Sequence, residues 1–472
     1  MRSKRRQTII SISAKKHPAA AGDSVAAVAV ATEDIAMSRK KEGSISAALA
    51  AATCSLLGTG IPTAVDAQEE PTWDFNTSLL YYGEDEDRVQ EFSLKSIISR
   101  MFADDRVLTF GLTIDGLTGA TPSGAIPLDA VQTITNASGN SVYTVPAGEL
   151  PLDEEFRDTR VAITANWQQP VGESSQMNWG FSASKEYDYL HLGVSGRFAK
   201  DFNKRNTTVS AGFAFSSDEN DPIGGTPVGL SSVLDVGDLS NRGGTDDKDI
   251  VDIVVGVSQV MSRNLVMQAN YSYSNESGYL SNPFKILSVV DGTTGDTIGR
   301  VPAPAGGPTH EFLFENRPDD RTKHSLFTQA KYYMNGNVLD ASYRYMTDDW
   351  EIDSHTVDLR YRWPVGNDKY FEPHLRFYTQ TEAEFYRLSI TDGAALPLYA
   401  SSDYRLGNFD AITVGAKYGW KTRNQNDMSV RVEFYQQSGS VPNGQIIGNQ
   451  AGRDNYPDLN ALIVQFSYRF KK

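Results

Sequence analysis

The chain has 472 residues, 40 % hydrophobic and 22 % charged, with a formal net charge of −15. Acidity of this kind excludes a nucleic-acid partner, which needs clustered Lys and Arg. The length allows several domains, but 39 Gly with 22 Tyr and 21 Phe suit many strands joined by turns.

The N-terminal part reads as an export signal. A basic cluster, Arg39-Lys40-Lys41, follows Met37, and residues 45–61 are apolar and small. Val65-Asp66-Ala67 then offers small residues at the two positions a signal peptidase reads, so cleavage is expected after Ala67. Residues 1–36 fit no signal logic, which makes 37–67 the signal peptide and 68–472 the mature barrel domain. Cys54 is the single cysteine and lies in the removed segment; Ala51-Ala52-Thr53 before it lacks the leucine of a lipobox. The mature chain therefore has no disulfide, thiol nucleophile or Cys-ligated metal, and no cofactor is expected. Residues 1–67 carry nine Lys/Arg and five Asp/Glu, which leaves 35 basic and 54 acidic residues and a net charge of −19.

No mature segment approaches the ~18 apolar residues of a membrane helix, but a membrane strand needs only about 9–11 residues with one apolar face. Period-two alternation predicts strands near 73–82, 88–102, 106–118, 159–168, 177–187, 189–199, 206–216 and 248–261. The second half continues with 264–275, 322–334, 337–347, 352–364, 370–380, 405–421, 427–437 and 459–470. The last is the clearest. Leu462, Val464, Phe466, Tyr468 and Phe470 line one face, while Gln465, Ser467 and Arg469 line the other. On a helix those apolar residues would scatter around the axis.

About sixteen strands result, an even number, as single-chain bacterial barrels require. The connections test the count independently. Those at 103–105, 169–176, 200–205, 262–263, 335–336, 365–369 and 422–426 are short and fall at one end, expected to be periplasmic. The long ones, 119–158, 217–247, 276–321, 381–404 and 438–458, all fall at the other. A soluble sandwich has no reason to sort its loops by parity. Trp73, Tyr81, Tyr82, Trp167, Trp179, Trp350, Trp363 and Trp420 sit near strand ends and suit the aromatic girdles of a membrane barrel. The fold expected is an all-β transmembrane antiparallel barrel in the outer membrane of a Gram-negative bacterium.

Several segments carry a family likeness. They are Gly111–Asp115 with Leu117–Ala125, Phe156–Arg160, Gly278–Lys285, Glu315–Asp319 with Arg321-Thr322, and Asp349-Trp350 with Ser354–Thr356. The chain thereby resembles the uncharacterised bacterial barrels known as domain of unknown function 3570 (DUF3570). The resemblance carries no activity. It implies an outer-membrane setting and a neighbourhood of redox-related export genes.

The chemistry-bearing candidates are charges on strands. Lys331, Asp340, Arg344, Asp358, Arg360, Arg362, Glu372, Arg376, Lys417, Arg431 and Glu433 occupy the non-lipid face of six consecutive strands. A charge facing lipid would cost about 2–4 kcal/mol at mid-membrane, so these point inward. They read either as a constriction that selects solutes or as a salt-bridged wall, and the arginines make that wall positive. A second group is Tyr279, Pro283, Lys285, Glu315, Arg317, Asp319 and Arg321, flanking the longest loop. Arg317 and Arg321 can pair there with Glu315 or Asp319, and a folded loop of this length can plug the pore.

The acidic runs Asp218–Asp221, Asp246-Asp247 and Asp319-Asp320 read as solvated loop charge, since none matches a calcium loop. His191, His310, His324, His355 and His374 show no metal-ligand spacing, and there is no G-x-S-x-G. A porin-like channel of unknown substrate is the expectation, with a scaffold for an exported partner as the alternative. Enzyme activity is not expected, although a barrel enzyme would assemble its site from separate strands, where spacing cannot show it. The partners expected are outer-membrane lipid, the barrel-assembly machinery, and small solutes or an exported partner protein.

Overall fold

Each of sixteen long strands pairs antiparallel with its neighbours, and the first pairs with the last, so the wall has no edge. In this computed structural model residues 72–472 are described, apart from 86–87, 137, 301–307 and 443. The export signal, Cys54 and the extension before Met37 lie outside the described residues.

The strands, in chain order, begin with β1 (Thr72–Glu84), β2 (Gln90–Met101), β3 (Val107–Pro122), β4 (Gln132–Thr135), β5 (Val142–Val145) and β6 (Leu152–Pro170). Next come β7 (Ser175–Lys185), β8 (Tyr189–Phe202), β9 (Thr207–Asn220), β10 (Asp246–Ser262), β11 (Leu265–Gly278), β12 (Ile286–Val290) and β13 (Phe312–Phe314). The chain continues through β14 (Asp320–Met334), β15 (Asn337–Asp348), β16 (Asp353–Pro364), β17 (Lys369–Gln380), β18 (Ser389–Thr391) and β19 (Asn408–Lys421). It ends with β20 (Asp427–Ser440) and β21 (Leu459–Lys471). All but β4, β5, β12, β13 and β18 belong to the barrel.

Alternation makes the wall two-faced. Outward residues such as Leu326, Leu359, Leu375, Phe377, Val414 and Phe434 are 38–65 % exposed. A soluble protein would not leave a continuous apolar belt in water; lipid removes the cost. The fold is a transmembrane β-barrel, as the alternation and the sorting of loops predict. One end carries tight turns, such as Asn335-Gly336 between β14 and β15, where both residues have positive φ (50° and 91°) and match the twist of the hairpin.

At the other end the long connections are folded, as the reading of the longest one as a pore-plugging loop allows, and they carry strands that the alternation does not show. β4 and β5 form a hairpin inside the β3–β6 connection. β12 pairs antiparallel with β13 and parallel with β18, so the β11–β14 and β17–β19 connections share one three-stranded sheet. Apolar clusters seal it: Ile134, Phe312 and Phe314 in one, Leu287 and Ala400 in another, all at 0–1 % exposure. These connections form a cap with its own core.

The cap corrects several expectations. Trp350 is 4 % exposed and packs edge-on against Phe385 (centroids 5.0 Å apart), and Tyr82 is fully buried, so neither belongs to a lipid girdle. Trp73, Trp179 and Trp363, at 36–47 % exposure, do face outward. The strand expected from 405 begins at Asn408, because Tyr404–Leu406 turn as a short 3₁₀ helix capped by the Asp403 carboxylate. β9 runs to Asn220, so Asp218 lies on the wall and is 1 % exposed; it is not solvated loop charge.

Candidate functional site

Register places the predicted strand charges together on the inner face. β14, β15, β16 and β17 run side by side, with Lys331 opposite Asp340, Asp340 opposite Arg360, and Asp358 opposite Arg376. On the next pairs, Glu372 faces Lys417, and Lys417 faces Arg431. Pairs of opposite sign form as expected: Lys331–Asp340 at 3.3 Å, Arg360–Asp358 at 3.4 Å, Arg431–Glu433 at 3.7 Å and Arg362–Glu372 at 3.9 Å. Arg344 stacks over the Phe327 ring at 5.5 Å. The arginine wall is thus largely compensated, although its seven Lys/Arg still outnumber its four Asp/Glu.

His374 organises the centre of this wall. Its Nδ1 lies 2.7 Å from Glu433 and its Nε2 2.9 Å from Asp358, which ties β16, β17 and β20 together. The two contacts share one proton more than a neutral ring and two carboxylates hold, carried either by the imidazole or by one of the carboxyl groups. His324 and His355 instead sit on the lipid-side face, where each accepts from or donates to a tyrosine hydroxyl, Tyr271 and Tyr343, at 2.7 Å. His310 lies in the cap.

The loop motif becomes the fastening of the cap to the wall. Arg317 bridges Glu315 (2.6 Å) and Asp403 (2.7 Å), with Glu315 and Asp403 at 0 % and 1 % side-chain exposure. Glu315 also accepts from the Asn282 amide and the Ser401 hydroxyl, and Arg405 forks onto Asp403. The β11–β14 and β17–β19 connections are locked together here. Lys285 donates to the Pro122 carbonyl at 2.5 Å, and burial pushes its ammonium below the usual lysine range. Pro283 stiffens the chain just before it, and Tyr279 leaves β11 with burial pushing its phenol up. Arg321 does not pair with Glu315 or Asp319. It binds Asp348 of β15 through two bonds (2.9 and 2.5 Å) and lies 4.3 Å over the Trp350 ring, because its strand neighbour is closer than the loop. Asp319 contributes a backbone carbonyl to Gly278.

Sequence reasoning missed one constellation. Ser182 Oγ lies 3.0 Å from His191 Nε2, and His191 Nδ1 lies 2.6 Å from Asp218 Oδ1. The three residues come from β7, β8 and β9, all on inward positions. Pairing the expected strands 177–187 and 189–199 in register would have brought Ser182 and His191 together. Asp218 escaped because its strand was ended two residues early.

The sequence profile of the family described as "Protein of unknown function (DUF3570)" matches residues 46–470. The chain belongs to this family. No curated protein matches it. Among solved structures it is similar to a mutant ferric enterobactin receptor from Pseudomonas aeruginosa (TM-score 0.41, 10 % identity), with 81 % of this chain and 56 % of that one covered. The chain thus spans a little over half the receptor's length. It is also similar to a bacterial polysaccharide outer membrane secretin (TM-score 0.41, 8 % identity), with 86 % of this chain and 100 % of that one covered. A third is the CymD monoaromatic hydrocarbon channel (TM-score 0.37, 8 % identity), with 85 % and 88 % covered. In this DUF3570 member the lumen wall and the cap are the two features that bear on function.

Proposed function

We propose that this DUF3570 member is an outer-membrane channel for small polar solutes whose outward mouth is kept closed by its own folded connections. The apolar belt supports a membrane setting, and a sixteen-strand closed wall can enclose an aqueous lumen. The inner face carries Lys331, Arg344, Asp358, Glu372 and their neighbours, which favours charged or polar solutes over hydrocarbons. The cap carries the reading of closure: a sheet shared by two connections, sealed by fully buried Phe312 and Leu287 and bolted by Glu315–Arg317–Asp403. Such a mouth opens only if those contacts break together.

Planar-bilayer recording tests this directly. The intact protein should show little steady current, with rare large openings, and removal of residues 282–314 should give a steady conductance. Heat-modifiable migration on gels checks that the shortened barrel is folded. A folded, shortened barrel that never conducts would refute the channel, and a large steady current from the intact protein would refute the closed mouth.

A further inference from the structure

We propose that the lumen of this barrel contains a serine-hydrolase site, with Ser182 as nucleophile, His191 as general base and Asp218 as the group that orients it. The proposal is independent of whether solutes cross the membrane; it needs only a lumen that an ester can enter. The three side chains lie in the order nucleophilic acyl transfer requires: hydroxyl to Nε2 at 3.0 Å, and Nδ1 to carboxylate at 2.6 Å. Asp218 is fully buried and also accepts from the Tyr189 hydroxyl, with Lys248 Nζ at 3.5 Å. Held this way, the carboxylate fixes the tautomer in which Nδ1 carries the proton, leaving Nε2 to accept from Ser182.

Two further observations distinguish this group from an ordinary wall contact. Ser182 faces Gly193 across the β7–β8 ladder. A Cβ at 193 would sit 2.6 Å from Ser182 Oγ and 3.1 Å from His191 Nε2, so glycine leaves open the space over the reacting pair. On the other side, Ser182 faces Thr164 of β6, which points inward and is nonetheless exposed. The lumen beside the nucleophile is therefore open, while the acid behind it is sealed. Backbone N–H groups of central strands are engaged in the ladder, so a developing oxyanion needs a side-chain donor. Thr164, the cross-strand neighbour of Ser182, carries such a donor; its hydroxyl lies towards Gly111 of β3 here, so it must turn about its Cα–Cβ bond to meet an oxyanion.

The chemistry balances without any added group. Ser182 Oγ attacks the carbonyl carbon of a carboxylic ester, and its proton passes to His191 Nε2. The carbon–oxygen bond to the alcohol then breaks, and the alcohol leaves with that proton. Water attacks the acyl-serine, its proton passing to Nε2 and then to Ser182 Oγ, and the acid is released. The substrate class is a carboxylic ester small enough to enter the lumen, such as a short-chain acyl group on an alcohol.

The test uses the purified full chain in detergent, with a fluorophosphonate probe and p-nitrophenyl butyrate. The expected result is a covalent adduct on the peptide that contains Ser182, with ester hydrolysis. Ser182→Ala should lose both, and His191→Gln should slow both by about 10²- to 10⁴-fold. Asp218→Asn, which keeps size but frees the tautomer, should lower kcat with KM little changed. Each variant should keep its heat-modifiable migration. An unlabelled wild-type protein, an adduct on another serine, or hydrolysis undiminished in Ser182→Ala would overturn the proposal. In a Cys54→Ser background, Ser182→Cys should react with a small methanethiosulfonate. Failure to react would show that the lumen does not deliver reagents to this position, and would overturn it as well.

Discussion

Replacing Arg317 with methionine should open the channel. Its guanidinium is the one cation that pairs with both Glu315 and Asp403 among the described ion pairs, and both carboxylates are at most 1 % exposed. Methionine keeps much of the stem's packing but leaves buried Glu315 without its cation, whereas Asp403 keeps Arg405. Removing one partner of a buried ion pair costs about 3–5 kcal/mol, because the other charge stays desolvated. In the opened cap the Glu315 carboxylate regains water, so most of this cost falls on the closed state. At about 1.4 kcal/mol per factor of ten, the open fraction should rise on the order of 10²- to 10³-fold. Single-channel recording of wild type and Arg317→Met measures the open probability. Adding Glu315→Gln to Arg317→Met removes the orphaned charge, while Asp403 keeps its fork with Arg405, and should restore most of the closure. Equal open probability in wild type and Arg317→Met would show that the bridge does not hold the cap. An open Arg317→Met/Glu315→Gln variant would show that packing, not charge, was lost.

Three further outcomes follow from other parts of the molecule. In a conducting variant, reversal potentials should show weaker cation preference than a net charge of −19 suggests, since the local wall carries more Lys/Arg than Asp/Glu. Arg360→Gln with Arg376→Gln should move the reversal potential towards cations, and an unchanged value would mark those arginines as structural. Closure should strengthen as pH rises towards the ordinary lysine pKa of about 10.4: buried Lys285, facing Asp403, Glu315, Asp153 and Arg317, is depressed by burial, so the closed cap loses its proton at lower pH than the open one. Lys285→Met should flatten that slope in open probability, and an equally steep slope in the variant would exclude Lys285 as its source. Finally, Leu359→Arg, on the outward face of β16, should destabilise the lipid-embedded barrel by about 2–4 kcal/mol in a urea-unfolding titration, whereas Thr356→Arg on the inner face should cost far less.

The wall was legible in the sequence because a membrane strand is a local object. One residue in two must be apolar from Trp73 to Phe470, and that period identifies strands, faces and turns without knowledge of their partners. Loop lengths carried the topology, since an up-and-down barrel sends alternate connections to opposite ends. The inward charges followed from the same parity, and so did Lys331 opposite Asp340.

The cap was not legible in that way. β12, β13 and β18 are five, three and three residues long, too short for a clear period, and β12 meets β18 across about a hundred residues of chain. Trp350 and Tyr82 carry the same sequence signature as girdle aromatics; only the packed connections turn them inward. Ser182, His191 and Asp218 are each unremarkable in their own strands and become a constellation only through the register of three neighbours. A period of two states which face a residue takes. Which residues it meets there depends on how far each strand slides past the next, and that is settled by closing the ring.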